Sequence, residues 1–158
     1  MPSALKPGET LGKRFVIEAA AGSGGMGTVY RGRDVVSGAR VALKLLNATV
    51  GGVDEAERFA REVEILAELR HPGIVSYVAH GVSEAGHPYL VMEWLEGEDL
   101  SRRLRRGALS PRDSLTLIER IADALYAAHQ RRIVHRGRSF KRANAAKYSL
   151  IRDFRRCA

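Results

Sequence analysis

A glycine-rich stretch set between two strand-like segments constrains this chain more than any other feature. Gly22, Gly24 and Gly27 occupy positions one, three and six of Gly22-Ser23-Gly24-Gly25-Met26-Gly27-Thr28-Val29. Without a Cβ, glycine reaches positive φ and lets other groups approach the backbone. A loop of such residues can turn its N–H groups onto phosphate oxygens. The same spacing occurs in folds where the last glycine opens a helix, and in plain turns. Here Thr28-Val29-Tyr30 follow the glycines and Arg14-Phe15-Val16-Ile17-Glu18 precede them. Both flanks are rich in β-branched and aromatic residues and predict strands. The glycines therefore cap a hairpin, either as a phosphate cradle or as a flexible tip.

A second strand-like run, Arg40-Val41-Ala42-Leu43-Lys44-Leu45-Leu46, follows the turn formers Gly32, Asp34, Ser37 and Gly38. Side chains alternate along a strand, so Val41, Leu43 and Leu45 share one face, and Ala42, Lys44 and Leu46 the other. Lys44 is a lone cation in an apolar strand: a snorkelling edge lysine, or an inward charge. A helix is predicted from Asp54 to about Arg70, with Phe59, Val63, Leu66 and Leu69 as its apolar stripe. Glu62 lies on that stripe. It pairs either locally with Arg58 or Arg61 or inward with a cation, since a buried unpaired carboxylate is costly. Lys44 is the partner at hand for the inward reading.

His71-Pro72-Gly73 ends the helix. Strands are predicted over Ile74–Val78 and Pro88–Glu93, with a turn from Gly81 to Gly86 between them. A short linker, Trp94–Glu98, leads to a brief helix that starts at Asp99 or Ser101 and is stopped by Gly107. Ser110-Pro111-Arg112-Asp113 is a helix start, with an N-cap serine, proline at the first position and an acid at the third. That helix runs through Ile118, Ile121, Leu125 and Ala128 to His129. Residues 1–10, with Pro2, Pro7 and Gly8, read as a loose leader.

The 158 residues suffice for one domain with a core. No apolar run reaches the length of a membrane helix, no secretory signal is visible, and the single cysteine, Cys157, excludes an internal disulfide. A cytoplasmic protein is the default expectation. The net charge of +8 invites a nucleic-acid reading. Residues 137–158, however, carry seven basic residues against Asp153 alone, a net of +6, which leaves +2 for residues 1–136. The charge belongs to the tail, which argues against nucleic acid as the partner of the body.

Taken together these residues resemble the protein-kinase family, and the bacterial serine/threonine kinases most closely. Gly22 to Tyr30 is similar to the family's glycine-rich loop, and Val41-Ala42-Leu43-Lys44 to its lysine strand. Phe59-Ala60-Arg61-Glu62 with His71-Pro72-Gly73-Ile74-Val75 resembles the αC helix and the turn after it. Met92-Glu93-Trp94-Leu95-Glu96-Gly97 resembles the hinge, and Ile133-Val134-His135-Arg136 the start of the catalytic loop. The resemblance implies an α+β fold: a kinase N-lobe of five antiparallel strands and one helix over residues 11–96, then a partial helical C-lobe over 97–136. Residues 137–158 would be a divergent basic tail.

The resemblance also implies roles. Backbone N–H groups of Gly22, Ser23, Gly24, Gly25, Met26 and Gly27 would cover the phosphates of ATP. Lys44 would hold the α- and β-phosphates, steadied by Glu62. Val29 and Ala42 would sandwich the adenine, with the Glu93 carbonyl and the Leu95 N–H on its edge, Met92 behind it and Asp99 at the ribose. Mg2+ would fall to Asn144 and to Asp153, whose Asp153-Phe154-Arg155 echoes the family's Asp-Phe-Gly but is matched equally by chance similarity in a basic tail. ATP and a protein substrate are the implied partners, and phosphorylation of protein Ser or Thr the implied reaction.

The pattern breaks after Arg136. The family places there the aspartate that accepts the substrate hydroxyl's proton. Gly137 stands in that place, or Ser139 if two residues are inserted, which brings Lys141 and Asn144 into register. Neither alignment supplies a carboxylate, and losing a general base costs about 10²–10⁴-fold in rate. The peptide-binding remainder of the lower lobe is not in the chain. The expectation is a chain inactive on its own, either the product of a frame change or premature end in a kinase gene, or a divergent kinase-like protein. Its alternative role is a non-catalytic module that binds nucleotide or a partner.

Overall fold

The structure is a computed structural model that describes residues 5–24, 27–47, 57, 60, 63–64, 67–97 and 100–131. Alternating apolar residues in five segments, and a two-residue stub, form six strands: β1 (Thr10–Leu11), β2 (Phe15–Gly24), β3 (Gly27–Asp34), β4 (Arg40–Leu46), β5 (Tyr77–Val82) and β6 (Pro88–Glu93). All pair antiparallel, in the order β1-β2-β3-β4-β6-β5. Phe15 and Ile17 of β2, Tyr30 of β3, Val41, Leu43 and Leu45 of β4, and Tyr89 and Val91 of β6 form one buried cluster with Leu11. Tyr30, Leu43 and Val91 sit directly opposite one another in the ladder. The face that carries the alternating odd positions of β4 is thus the inside of the sheet, as its spacing predicts.

Two expectations need correction. The sheet has a sixth strand because the start of the chain is tied down from Leu5 onward. Gly8 N–H donates to the Ile17 carbonyl at 2.8 Å, Ile17 N–H to the Glu9 carbonyl at 2.8 Å, and Leu5 N–H to the Tyr30 hydroxyl at 3.1 Å. Pro7 and Gly8 signal a loop, but the buried Leu11 draws the segment onto the sheet edge. The strand expected over Ile74–Val78 instead begins at Tyr77 and runs to Val82. Ile74 is drawn off the sheet to pack with Leu69, Ala124 and Ala128.

The predicted helix over 54–70 is seen at Glu57, Ala60, Val63, Glu64 and Ala67, all helical, with Val63 fully buried. Near its end Glu68 N–H donates to the Glu64 carbonyl at 3.2 Å. A short helix covers Leu100–Arg105 and a long one Pro111–Gln130. Ser110 caps the long helix by accepting from Asp113 N–H at 3.1 Å, and its own hydroxyl donates to the Asp113 carboxylate at 2.7 Å. The inward stripe of the long helix is not quite the expected one. Ala124 and Ala128 are its buried residues, and Ile118 points outward, 60% exposed. Among the described residues no helix is long and apolar enough to cross a membrane.

Candidate functional site

The reverse face of the sheet gathers several of the expected site residues. Residues directly opposite in an antiparallel ladder share a face. Val29, Lys44 and Leu90 lie in one row across β3, β4 and β6, and Ala42 lies beside Met92 in the next. Val29, Ala42 and Met92 are half-buried there. Lys44 is only 3% exposed. It does not stand without an electrostatic or hydrogen-bonding partner. An inward ammonium on an apolar strand is therefore the reading that holds, and the snorkelling edge lysine is not. Ammonium ions are kept buried only where pairing offsets their desolvation.

Gly22, Ser23, Gly24 and Gly27 are part of the sheet itself. β2 continues through Gly22, Ser23 and Gly24, which pair with Val29, Thr28 and Gly27. Gly27 has φ +146°, and a Cβ there would run into the Leu45 carbonyl oxygen. Only glycine lets β3 lie this close to β4 in that conformation. Two register shifts, between Ile17 and Ala19 and between Ala20 and Gly22, put extra residues into β2. Such bulges bend a strand and increase its twist.

The expected hinge is anchored on both sides. Glu93 N–H donates to the Ser76 carbonyl at 2.9 Å, while the Glu93 carboxylate accepts from Ser76 N–H at 2.7 Å. Trp94 N–H donates to the Arg40 carbonyl at 3.3 Å, and the Arg40 guanidinium meets the Glu96 carboxylate at 2.6 Å. Leu95 sits half-buried between these contacts. The remaining expected residues, Gly25, Met26, Glu62, Asp99, Asn144 and Asp153, lie outside the described residues, as do Gly137 and Ser139. The Lys44–Glu62 pair and the Mg2+ ligands are therefore left as sequence expectations. Among the described residues no cluster of three His, Cys, Asp or Glu side chains could hold a metal.

Chemically, this face offers half-buried apolar side chains beside a buried cation, next to glycine-rich backbone. That donor set suits a flat apolar ring carrying an anionic tail.

Two features escaped the sequence reading. Asp34, read there only as a turn former, is 1% exposed and is gripped by Arg14 through two hydrogen bonds of 2.8 Å. The Ser37 hydroxyl donates to it at 2.7 Å and Val36 N–H at 3.1 Å. The Arg14 guanidinium holds the Asp34 carboxyl far below the usual carboxylate range, against the opposing effect of burial, with Ser37 and Val36 assisting. The Asp34-x-x-Ser37 spacing was the available signal, since Asp and Ser at such spacing bond the backbone of their own turn. The second feature is His71: Gly73 N–H donates to its Nδ1 at 3.0 Å, and its Nε2 lies 3.0 Å from the Asp123 carboxylate. Its partner is 52 residues away, and no local pattern announces it.

The chain belongs to the protein kinase family: the family described as "Protein kinase domain" matches residues 15–144. Among curated relatives it is 41% identical over 124 residues to the serine/threonine-protein kinase pkn2 of Myxococcus xanthus, covering 78% of this chain and 15% of that one. It is 36% identical over 131 residues to PrkC of Bacillus subtilis and 40% identical over 135 residues to PknA of Mycobacterium tuberculosis, covering 82% of this chain in each case. It spans only 20% and 31% of those two proteins. Among solved structures, the PknI kinase domain of M. tuberculosis aligns with a TM-score of 0.74 at 29% identity, over 86% of this chain and 55% of that one. The relatives are bacterial Ser/Thr kinases, and the sheet with its helices corresponds to a kinase N-lobe and part of a C-lobe.

Proposed function

We propose that this chain is the nucleotide-binding part of a bacterial serine/threonine protein kinase and binds ATP on the sheet face that carries Val29, Ala42, Lys44 and Met92. The observation that carries the reading is the burial of Lys44 in one row with Val29, beside the glycine-rich end of β2 and β3. When bound, ATP supplies the transferable phosphoryl group. Val29, Ala42 and Met92 wall its ring, and the backbone of the hinge at Glu93 and Leu95 meets the ring's edge. Lys44 holds the α- and β-phosphates, and Glu62 orients Lys44. Mg2+ accompanies the nucleotide and falls to Asn144 and Asp153. The substrate is a protein Ser or Thr, and the compartment is the cytoplasm.

These 158 residues bind nucleotide but transfer phosphate poorly, because Gly137 or Ser139 stands where a general-base carboxylate is needed. On this account the chain by itself acts as a non-catalytic nucleotide module. Thermal unfolding with and without Mg-ATP tests it. A ligand at 100 times its Kd stabilises the folded state by about 2.7 kcal/mol, and Lys44→Met should abolish most of that gain, read against the variant's own unliganded melting temperature. No ATP-induced shift in the unsubstituted chain would refute the site. Phosphorylation of a generic protein substrate at a rate that Lys44→Met removes would refute the inactivity.

A further inference from the structure

The net charge of +2 over residues 1–136 is unevenly spread. Residues 100–112 hold five arginines and no acid, a net of +5, which leaves −3 for the rest of that stretch. With Glu98 and Asp99, which precede them, the net is still +3. Four of the five, Arg102, Arg103, Arg105 and Arg106, lie on or directly after the short helix that follows the hinge. Its half-buried residues, Leu100 and Arg103, are three apart and share one face. Arg102 stands three residues before Arg105 and four before Arg106, so these three share the other face, and all are exposed. A helix C-terminus accommodates a cation, but like charges at these spacings repel one another. The helix buries none of its residues, so the core does not dictate this composition. Its end is nonetheless held in shape. The Arg103 guanidinium donates to the Gly107 carbonyl at 3.1 Å, and Arg106 and Gly107 N–H donate to the Arg103 and Leu104 carbonyls at 3.2 Å each. Arg102 and Arg106 make further interactions within the chain.

All five cations of residues 100–112 are arginine and none is lysine. A guanidinium is a planar fork that takes a carboxylate through two parallel hydrogen bonds, which an ammonium cannot do. We propose that the outward face of the short helix, Arg102, Arg105 and Arg106, is a docking site for an acidic, extended segment of a partner protein. The spacing suits it: alternate side chains of an extended peptide are about 7 Å apart, and residues three or four apart on a helix are about 5–6 Å apart at Cβ. Acids at every second position of the peptide thus meet successive guanidinium groups. Nucleic acid suits the face less well, because residues 100–112 contain no aromatic side chain on which a base could stack. A lipid surface suits it less well too, because the outward face carries no apolar side chain to insert. The inference goes beyond the nucleotide site and holds or fails whether or not ATP binds.

The test follows the fluorescence anisotropy of a short dye-labelled peptide with Glu at every second position, added to the full chain at physiological ionic strength, where the screening length is about 8 Å. A control peptide carries Gln at the same positions. The Glu peptide should bind and the Gln peptide should not. Arg102→Gln combined with Arg105→Gln should weaken binding by about 10-fold or more. Arg105→Gln alone should give part of that loss, and each variant should melt with the parent, since the helix buries nothing. Arg105→Lys keeps the charge and loses the fork, so it should also weaken binding. Arg155→Gln combined with Arg156→Gln removes the same charge from the basic tail and should change affinity by less than about twofold, because separated exposed charges are screened. Equal weakening by the two double variants would overturn the proposal, since attraction would then follow net charge alone. Equal affinity for the Glu and Gln peptides, or no binding of either, would also overturn it. Tighter binding of single-stranded DNA or of phosphatidylserine vesicles, with the same dependence on Arg102 and Arg105, would overturn the peptide as occupant in favour of nucleic acid or lipid.

Discussion

The sheet and the long helix are built on opposite plans. The sheet keeps its large side chains inside: Phe15, Ile17, Tyr30, Leu43 and Val91 are all buried in one cluster, shared among four strands. The long helix keeps small ones inside, Ala124 and Ala128, and turns Leu115, Ile118 and Tyr126 to the outside. Apolar burial contributes roughly 25 cal/mol per Å². Strands with interlocking large residues therefore make a self-sufficient core. A helix seated on two alanines depends more on its polar clamps and on close backbone approach. The comparison teaches that size inside an interface, not the number of apolar residues on an element, decides which part of a molecule carries its stability.

Truncation in the sheet should have the largest effect. Leu43→Ala removes a side chain with no exposure at the centre of the ladder and should destabilise by about 2–5 kcal/mol in urea unfolding. A loss under about 1 kcal/mol would break the claim that the sheet is the cooperative unit. Gly27→Ala comes next. It combines a positive-φ site with a clash against the Leu45 carbonyl, so it should cost more than the about 1 kcal/mol typical of an unfavourable glycine replacement, and Mg-ATP binding should fall with it.

Asp34→Asn should act more narrowly, and its signature is in pH. The folded carboxyl is depressed below its unfolded value of about 3.9, so its contribution is complete above that value and is lost as pH falls below it toward the folded one. The variant should be less stable than the parent at pH 7, and its stability should decline less steeply below pH 4. Parallel pH profiles for the two would remove Asp34 from the account. Ile118→Lys should have the smallest effect, within about 0.5 kcal/mol of zero, because the side chain is already exposed. A large loss there would mean that the long helix's outer face does structural work in this chain and would erase the contrast with the sheet.

Much of this was legible from short-range pattern. The period-two alternation of β4 placed Lys44 opposite the core face before any coordinates did, and Ser110-Pro111-x-Asp113 marked a helix start to the residue. The glycine spacing found the hairpin, although it concealed that β2 and β3 run almost to its tip. What was not legible depends on long-range contact. Leu11 reaches the sheet only because the chain's start folds back on β2, and Ile74 leaves its expected strand because a helix fifty residues further on offers a better surface. Asp34 and His71 look like ordinary turn residues until Arg14 and Asp123 arrive from elsewhere. Alternation and capping are encoded within a few residues, whereas the partners of a buried polar group are chosen by topology.

The Arg14–Asp34 grip has a mechanical consequence. It fastens β2 and β3 at their shared root, where β1 also covers Phe15 and Val16. Beyond that point the outer edge of β2 has no neighbouring strand among the described residues: Ala19–Gly24 pairs in the ladder with β3, and the Asn47 amide donates to the Gly24 carbonyl at 3.5 Å. β2 is thus mounted from one side, as a fringe along a strand that is itself braced by β4. Its other margin faces no strand among the described residues, so a change at Ala19–Gly24 meets the resistance of the ladder from the β3 side only.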